Sequence, residues 1–351
     1  MKIFHCSHCG NPLYFENTVC LSCGSHLGYL EHRSQLVNLI ANNGLFSVSG
    51  DEGKLYRFCK NHEYQVCNWL VEINSNSEFC TACSLNRTIP NLENESNLVE
   101  WRKLEIAKHR LVYALMRLGL QVEPKKGVES SGIAFDFLEE ITNAQNSEPV
   151  RTGHLNGTIT INVAEADSVH REYMRKQMAE PYRTLIGHFR HEIGHFYWDL
   201  LINNNSDNLS AFRSIFGDER VDYGAALQNH YNQGASSNWP SYYISSYASS
   251  HPWEDWAETW AHYLHLIDLL ETAFYFGIET GGHLNDGSPL KMEARFDPYL
   301  QQDFDAIIKA FRPLTYAINS LNRSMGQPDV YPFVISDTVL NKLRFVHQLL
   351  H

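Results

Sequence analysis

The chain lacks long apolar segments and an excess of positive charge. No apolar run approaches the roughly 20 residues that a membrane-spanning helix needs, and the first residues contain no apolar stretch typical of a secretory signal. The formal net charge is -12 over 351 residues. We therefore expect no nucleic acid and no membrane as a partner, because these anionic surfaces attract clustered Lys and Arg. A cytoplasmic protein is the expectation.

Cysteine is absent after residue 83, although eight cysteines precede that point. In a reducing compartment, clustered thiols bind metal more often than they form disulfides. The first four lie in two C-x-x-C-G motifs, in which a tight turn presents two thiolates and the glycine accommodates the backbone. Four thiolates close a tetrahedral shell, so we predict a structural zinc site formed by Cys6, Cys9, Cys20 and Cys23.

The other four cysteines predict a second structural zinc site. Two of them form a third C-x-x-C motif, and the other two are more loosely spaced. The predicted ligands are Cys59, Cys67, Cys80 and Cys83. His62 is an alternative donor that could replace one of these thiolates. For both sets the competing interpretation is free buried cysteines.

The length allows about two domains, and we place the division at a linker-like segment near residue 90. Residues 1–90 are predicted to be a zinc-ribbon-like module, and residues 91–351 a second domain. The module carries six Lys or Arg against seven Asp or Glu. This balance favours structural support or contact with a protein partner over binding of nucleic acid.

The segment His191-Glu192-Ile193-Gly194-His195 places two imidazoles one helical turn apart, with a carboxylate beside the first. This H-E-x-x-H pattern is typical of zinc hydrolases, because His191 and His195 share one helix face and Glu192 can polarise a metal-bound water. We predict a helix over residues 182–201, beginning at Glu180-Pro181. Apolar residues lie on almost every side of this helix, so we expect the helix to be buried. Burial of the polar motif is unfavourable unless its side chains bind a metal or pair with other groups.

Two further elements are predicted between the cysteines and this motif. Apolar residues at helical spacing from Trp101 to Leu118 indicate a helix that ends at Gly119. Alternating apolar residues over 158–163 indicate a half-exposed strand. In zinc peptidases an edge strand near the metal commonly pairs with the extended substrate, and an ordinary strand in a small sheet is the alternative. Residues 266–351 are predicted to form further helices, for example around 303–311 and 338–350.

A catalytic zinc usually keeps three protein ligands and one water, so another His, Asp or Glu is expected downstream. The best candidate segment is 251–265, which has helical character. Glu254, Glu258 and either His262 or His265 occupy one approximate face at steps of three and four residues. The spacing alone leaves these choices open.

Over nearly its whole length the chain resembles the bacterial zinc-binding metallopeptidases that pair an N-terminal zinc-ribbon domain with a zincin domain. Besides the ribbon cysteines, the resemblance rests on six motifs: L-N-R-T-I-P (85–90), G-H-L-N-G (153–157), E-P-Y-R-T-L (180–185), G-H-F-R-H-E-I-G-H (187–195), F-G-D-E (216–219) and E-D-W-A-E (254–258). The last motif is also similar to the E-x-[FW]-A-E element of glutamate zincins, including the catalytic domain of anthrax lethal factor. This similarity implies that Glu254 is the third ligand, that Glu258 lies one turn on as an outer partner, and that Tyr247 faces the active site.

These observations predict an α+β protein, with a small β-rich zinc module followed by a mainly helical zincin domain with a short sheet. We expect one catalytic and two structural zinc ions, and a peptide or protein substrate. Glu192 would accept the proton of the attacking water, while the metal and Tyr247 stabilise the oxyanion. The alternative function is a zinc-stabilised protein-interaction module whose zincin domain is catalytically silent.

Overall fold

The chain forms two compact units in a computed structural model, Met1–Met174 and Arg175–His351. The structure describes residues 2–127, 130–140, 150–177, 183–283, 287, 289–293 and 295–351. Small sheets dominate the cysteine-rich segment, and the second unit is mainly helical. The predicted α+β class is therefore confirmed.

The cysteine-rich segment is built from short antiparallel strands. They are β1 (Phe4–His5) with β2 (Pro12–Leu13), β3 (Leu27–Leu30) with β4 (Gln35–Asn38), and a four-stranded sheet of β5 (Ile40–Asn42), β6 (Leu45–Ser47), β7 (Tyr56–Phe58) and β8 (Leu70–Glu72). Gly10 and Gly24 adopt φ angles of 75° and 73°, which favour glycine. Each donates its backbone N–H to the carbonyl of the first cysteine of its motif, at 2.8 Å. The two motifs therefore form the same tight turn.

The rest of the first unit places a long helix beside a four-stranded sheet. Its elements are α1 (Thr81–Ser84), β9 (Asn86–Thr88), α2 (Glu95–Arg117), β10 (Ala134–Leu138), β11 (Gly153–Leu155) and β12 (Thr158–Asn162). The helix α3 (Ser168–Gln177) begins in this unit and ends after its last residue. The sheet order is β11-β12-β10-β9, with β11 antiparallel to β12 and the other pairs parallel. The predicted helix is confirmed as α2, and Gly119 follows it with a φ of 68°.

The predicted strand near residue 160 is also confirmed, but its position in the sheet is not that of an edge strand. β12 ends at Asn162, and it lies between β10 and β11. Its Ile159 and Ile161 are fully buried, whereas Thr158 and Thr160 are half-buried. The edge position belongs to β11, because the turn at 156–157 folds this short strand back along the outside of β12.

An aromatic cluster joins the cysteine-rich strands to α2. The ring of Tyr29 lies 4.6 Å from that of Trp69 and 4.9 Å from that of Phe15, and Tyr113 of α2 lies 5.6 Å from Phe15. All four side chains are buried. The cysteine-rich strands and α2 thus belong to one compact unit, which extends to residue 174. The division into residues 1–90 and 91–351 stays a prediction.

The second unit consists mainly of helices. They are α4 (Leu185–Trp198), α5 (Ser206–Phe216), α6 (Tyr223–Gln233), α7 (Pro252–Phe276), α8 (Phe304–Ser324) and α9 (Asp337–Leu350). The last two confirm the helices predicted around 303–311 and 338–350. A hairpin of β13 (Glu279–His283) and β14 (Pro289–Glu293) corrects the prediction of helices alone after residue 266, since its consecutive glycines 281 and 282 disfavour a helix.

The helix that carries the H-E-x-x-H motif is shorter than predicted. Thr184 caps α4, and its Oγ1 accepts a hydrogen bond from the Gly187 N–H at 3.1 Å. After Trp198 the chain continues as a π-helical turn, Asp199–Asn203. The predicted start at Glu180-Pro181, together with Tyr182, lies outside the described residues. No helix in the described ranges has both the length and the apolar character needed to cross a bilayer.

Candidate metal centre

The eight cysteines form two clusters of four in the predicted grouping, and the sulfur atoms within each cluster lie within 4.8 Å of one another. In the first cluster, the Cys6–Cys23 and Cys9–Cys20 sulfur pairs are both separated by 3.6 Å. Zinc–sulfur bonds of about 2.3 Å in a tetrahedron place sulfurs about 3.8 Å apart, while a disulfide needs about 2.0 Å. The cluster therefore fits zinc and contains free thiols.

The second cluster is wholly buried. Its Cys67 and Cys80 sulfurs lie 3.7 Å apart. The alternative donor His62 is not among these converging ligands, and its Nδ1 lies 2.8 Å from the Cys67 backbone carbonyl. Sequence reasoning missed a different histidine, His109 of α2, whose Nε2 lies 3.7 Å from the Cys83 sulfur.

Glu105, one turn earlier on α2, holds this histidine in place. Lys108 and Glu105 are fully buried, and the Lys108 Nζ lies 2.8 Å from the Glu105 Oε1. The His109 Nδ1 is 2.7 Å from the Glu105 backbone carbonyl, so its Nε2 is directed at the thiol. This contact supports a charge-assisted hydrogen bond to a Cys83 thiolate.

The second unit brings His191, His195 and Glu254 together. The two histidines lie one turn apart on α4, and their ring centroids are 4.9 Å apart. Glu254 lies in the first turn of α7 and is 1% exposed. Its Oε2 is 3.0 Å from the His191 Nε2 and 3.5 Å from the His195 Nε2. One oxygen of Glu254 therefore faces both imidazoles.

The donor set fits a zinc ion. Tetrahedral zinc with bonds of about 2.1 Å separates its nitrogen and oxygen ligands by about 3.4 Å, close to the 3.0 and 3.5 Å between the Glu254 Oε2 and the two imidazole nitrogens. Two imidazoles and one carboxylate are also the ligands of catalytic zinc sites that keep a position open for water. The three donors thus differ in kind from the closed clusters of four cysteines.

A close approach between α4 and α7 produces this convergence. A Cβ atom at Gly194 would lie 3.2 Å from the Ala257 Cα and from the Trp260 Cβ. The Trp256 indole N–H donates to the Gly194 carbonyl at 2.8 Å. The glycine of the H-E-x-x-H motif therefore allows α7 to pack tightly enough for Glu254 to reach the histidines.

Glu258 lies on the far side of His191. Its Oε1 is 2.7 Å from the His191 Nδ1, and its Oε2 accepts a hydrogen bond from the Ser245 hydroxyl at 2.6 Å. Burial alone would raise the pKa of Glu258, but the hydrogen bond and charge of His191 lower it to about 2. Glu258 thus orients a histidine and does not join the three converging donors.

The two downstream histidines also lie away from the donors. The His262 Nδ1 is 2.9 Å from the Tyr331 hydroxyl, and burial lowers the pKa of His262 to about 4. His265 is hydrogen-bonded to Arg190, which also pairs with Asp268. Of the candidates that the spacing left open, the structure brings only Glu254 to both motif histidines, within the described residues.

Glu192 is buried on the same helix as the two histidines. Burial raises the pKa of its carboxyl group, and the nearby His191 and His195 imidazoles oppose this shift. A raised pKa makes the carboxylate a better proton acceptor than an exposed glutamate. Its environment is therefore suited to general-base chemistry.

Two tyrosines lie next to the donors. The Tyr247 ring, in the 3₁₀ turn Tyr247–Ser250, lies 5.9 Å from the His191 ring. Tyr223 donates its hydroxyl to the Glu254 Oε1 at 2.7 Å. Burial, followed by the charge of Glu254, raises the pKa of both phenols well above the ordinary value, so both are hydrogen-bond donors at neutral pH.

Sequence reasoning missed Tyr223 and Ser245. Tyr223 precedes Glu254 by 31 residues, with no spacing pattern that links them. The connection is made in three dimensions by His251, the N-cap of α7. The His251 Nε2 lies 3.0 Å from the carbonyl of Val221, which holds the start of α6 beside the start of α7.

The family comparisons cover both parts of the chain. A model described as "Putative zinc-binding metallo-peptidase" matches residues 97–349, and a model described as "zinc-ribbon domain" matches residues 3–94. Two similar proteins are the "Uncharacterized protein Rv2568c" of Mycobacterium tuberculosis and the "Uncharacterized protein Mb2598c" of Mycobacterium bovis. Each is 42% identical over 347 residues, which is 99% of this chain and 94% of the relative. No solved structure gives a significant match.

The larger family match spans more than half of the chain and includes all three converging donors. The zinc-ribbon match includes both clusters of four cysteines. The chain therefore belongs to the family described as "Putative zinc-binding metallo-peptidase" and carries a zinc-ribbon domain at its N-terminal end.

Proposed function

We propose that this protein hydrolyses peptide bonds at a zinc site formed by His191, His195 and Glu254. The convergence of these donors beside a buried Glu192 is the observation that carries the proposal. Two more zinc ions would occupy the four-cysteine clusters, where they stabilise the fold without an open position. The protein thus needs one catalytic and two structural zinc ions.

The ligands are held by residues around them. Glu258 accepts from the His191 Nδ1 and so directs the Nε2 towards the metal position. Tyr223 donates to one oxygen of Glu254 and leaves the other for the metal. Zinc bound there would lower the pKa of a water molecule and polarise the substrate carbonyl.

Glu192 and Tyr247 supply the proton chemistry. Glu192 accepts the proton of the attacking water and passes it to the amine that leaves. Tyr247, a neutral phenol beside His191, donates a hydrogen bond to the oxyanion that develops on the scissile carbonyl. Burial of Glu192 keeps bulk water away from this exchange.

The substrate is a peptide or a protein, and the compartment is the cytoplasm. Eight free thiols support this location, because zinc–thiolate clusters persist where disulfides are kept reduced. The zinc-ribbon domain is also available for contact with a protein partner. Its charge balance favours such a partner over a nucleic acid.

A Glu192→Gln variant tests the mechanism. We expect it to keep all of its zinc and to cleave a diverse peptide mixture about 10²- to 10⁴-fold more slowly than the wild type, because it lacks the proton acceptor. Glu279→Gln, which makes the same change at an exposed position of β13, is the matched control and should cleave normally. Full cleavage by zinc-loaded Glu192→Gln would contradict the proposed mechanism.

The same variant separates hydrolysis from the interaction-module alternative. The N-terminal peptides of all cellular proteins are compared between cells that contain the wild type and cells that contain Glu192→Gln. Because each cleavage creates a new N-terminus, we expect some of these peptides only in the cells with the wild type. Identical profiles, together with preserved zinc content, would favour the catalytically silent module.

A further inference from the structure

The second four-cysteine cluster takes one of its hydrogen-bond donors from outside the zinc-ribbon match. Backbone N–H groups of the ribbon donate to three of its sulfurs, at 3.4 Å from Trp69 to Cys67, 3.4 Å from Cys80 to Cys59 and 3.5 Å from Cys83 to Cys80. Within the described ranges no backbone N–H donates to the fourth sulfur, that of Cys83. The His109 Nε2 faces it at 3.7 Å instead, and residue 109 lies in the larger family match, beyond the end of the ribbon match at residue 94.

The first cluster has side-chain partners from within the ribbon. The Cys6 sulfur accepts a hydrogen bond from the Asn38 amide at 3.1 Å, and the Cys23 sulfur lies 3.2 Å from the Ser25 hydroxyl. Its Cys9 is exposed, so water also reaches this cluster. The second cluster is wholly buried, and a buried thiolate without a donor is unfavourable. The donor from α2 therefore matters more there.

Hydrogen bonding and packing fix the direction of the His109 imidazole. Its Nδ1 lies 2.7 Å from the Glu105 backbone carbonyl, and its ring lies 5.3 Å from that of Trp69. Cys83 is 2% exposed, so bulk water cannot supply a donor in place of the imidazole. An N–H group that donates to a thiolate forms a charge-assisted hydrogen bond, which is about twice as strong as a neutral one.

Lys108 neutralises the carboxylate that lies next to this thiolate. The Glu105 Oε2 is 4.0 Å from the Cys83 sulfur, where two buried negative charges would repel each other. The Glu105 Oε1 accepts from the Lys108 Nζ at 2.8 Å and from the Asn86 amide at 2.7 Å. The cation and the amide offset the charge of Glu105, so α2 presents a hydrogen-bond donor to the cluster without an uncompensated negative charge.

We propose that His109 donates a hydrogen bond to the zinc-bound Cys83 thiolate and thereby raises the zinc affinity of the second cluster. The site is then a composite, in which the ribbon provides four ligands and α2 provides the donor to one of them. Because metal binding and the docking of α2 favour each other by the same factor, a filled cluster also holds α2 against the cysteine-rich strands. This role requires zinc in the second cluster but no hydrolysis at the H-E-x-x-H site.

The test measures the zinc affinity of the second cluster in the full-length protein. His109→Leu and His109→Phe remove the donor and fill the space with two different shapes, whereas His109→Gln carries an amide N–H in place of the ring Nε2. The matched control is Arg110→Leu. It removes another contact between α2 and the ribbon, the ion pair of Arg110 with Glu16 at 2.7 Å, which involves no sulfur.

Every variant also carries His191→Ala, so that the third site does not compete for zinc. Competition with a chromophoric chelator gives the remaining dissociation constants. The constant that disappears in Cys80→Ser belongs to the second cluster, and this identification is valid whether or not the protein is a peptidase. Thermal unfolding in the presence of zinc shows which variants are folded.

We expect the Kd of the second cluster to rise by about 10- to 100-fold in His109→Leu and His109→Phe, as for other partners of metal ligands. The rise should be smaller in His109→Gln, and the control should match the parent protein. A Kd in the folded apolar variants equal to that of the control would overturn the proposal. A Kd in His109→Gln as high as in the apolar variants would also overturn it, because packing against Trp69 and not the N–H group would then set the affinity.

Discussion

Replacing Tyr223 by phenylalanine should weaken zinc binding at the site of His191, His195 and Glu254. The Tyr223 hydroxyl donates to the Glu254 Oε1 at 2.7 Å, whereas the Oε2 faces both imidazoles. Without the hydroxyl, a carboxylate that is 1% exposed loses a hydrogen bond on the side away from the metal. The Glu254 carboxylate then has one contact fewer to fix it in the orientation that a metal ion needs.

The expected loss of zinc affinity follows from the energy of the one hydrogen bond that is removed. A hydrogen bond to a charged group contributes about 1.5–3 kcal/mol, and about 1.4 kcal/mol corresponds to a tenfold change in affinity. We therefore expect the Kd for zinc at this site to rise by about 10- to 100-fold, the range observed for partners of metal ligands. The four-cysteine clusters should keep their zinc, because their ligands lie in the first unit.

Competition with a chromophoric chelator measures this affinity once the cysteine clusters are filled. Tyr231→Phe is the matched control, since it removes a hydroxyl from the same helix at a side chain that is 62% exposed. A Kd for Tyr223→Phe equal to those of the wild type and the control would refute the role assigned to this hydroxyl.

Three further single variants and one double variant test the packing and the buried pairs around the site. Gly194→Ala should separate α4 from α7 and destabilise the protein by about 1–3 kcal/mol, and an unchanged urea midpoint would contradict this close approach. Lys342→Met leaves the fully buried Asp255 without its partner at 2.6 Å and should lower the free energy of unfolding by about 3–5 kcal/mol. The double variant with Asp255→Leu should recover most of that loss, and no recovery would count against the pair. Glu258→Gln should raise the zinc Kd by about tenfold, because a neutral amide orients His191 less well; a Kd equal to the wild-type value would contradict this.

The sequence predicts the local features of the metal centre well. His191 and His195 belong to one helix, and their spacing alone places them on one face. The C-x-x-C-G turns are equally local, and they form as predicted around Gly10 and Gly24. Glu254 required a resemblance to other proteins, because the spacing within 251–265 also allowed Glu258 and the two histidines.

Features that depend on tertiary packing could not be predicted. Tyr223 reaches Glu254 because His251 holds the preceding loop, and no periodic pattern encodes such a contact. His109 reaches Cys83 only because α2 packs against the cysteine-rich strands. The edge position of β11 follows from strand order, which the alternation of apolar residues in β12 does not specify.

Counting zinc is the most direct test of the central claim, that one open site exists apart from two closed clusters. The metal content of purified wild type is compared with that of His191→Ala, Glu254→Ala and the exposed control Glu279→Ala. We expect about three zinc ions per chain in the wild type and the control, and about two in each site variant. Zinc content that is unchanged in His191→Ala and Glu254→Ala would contradict the claim.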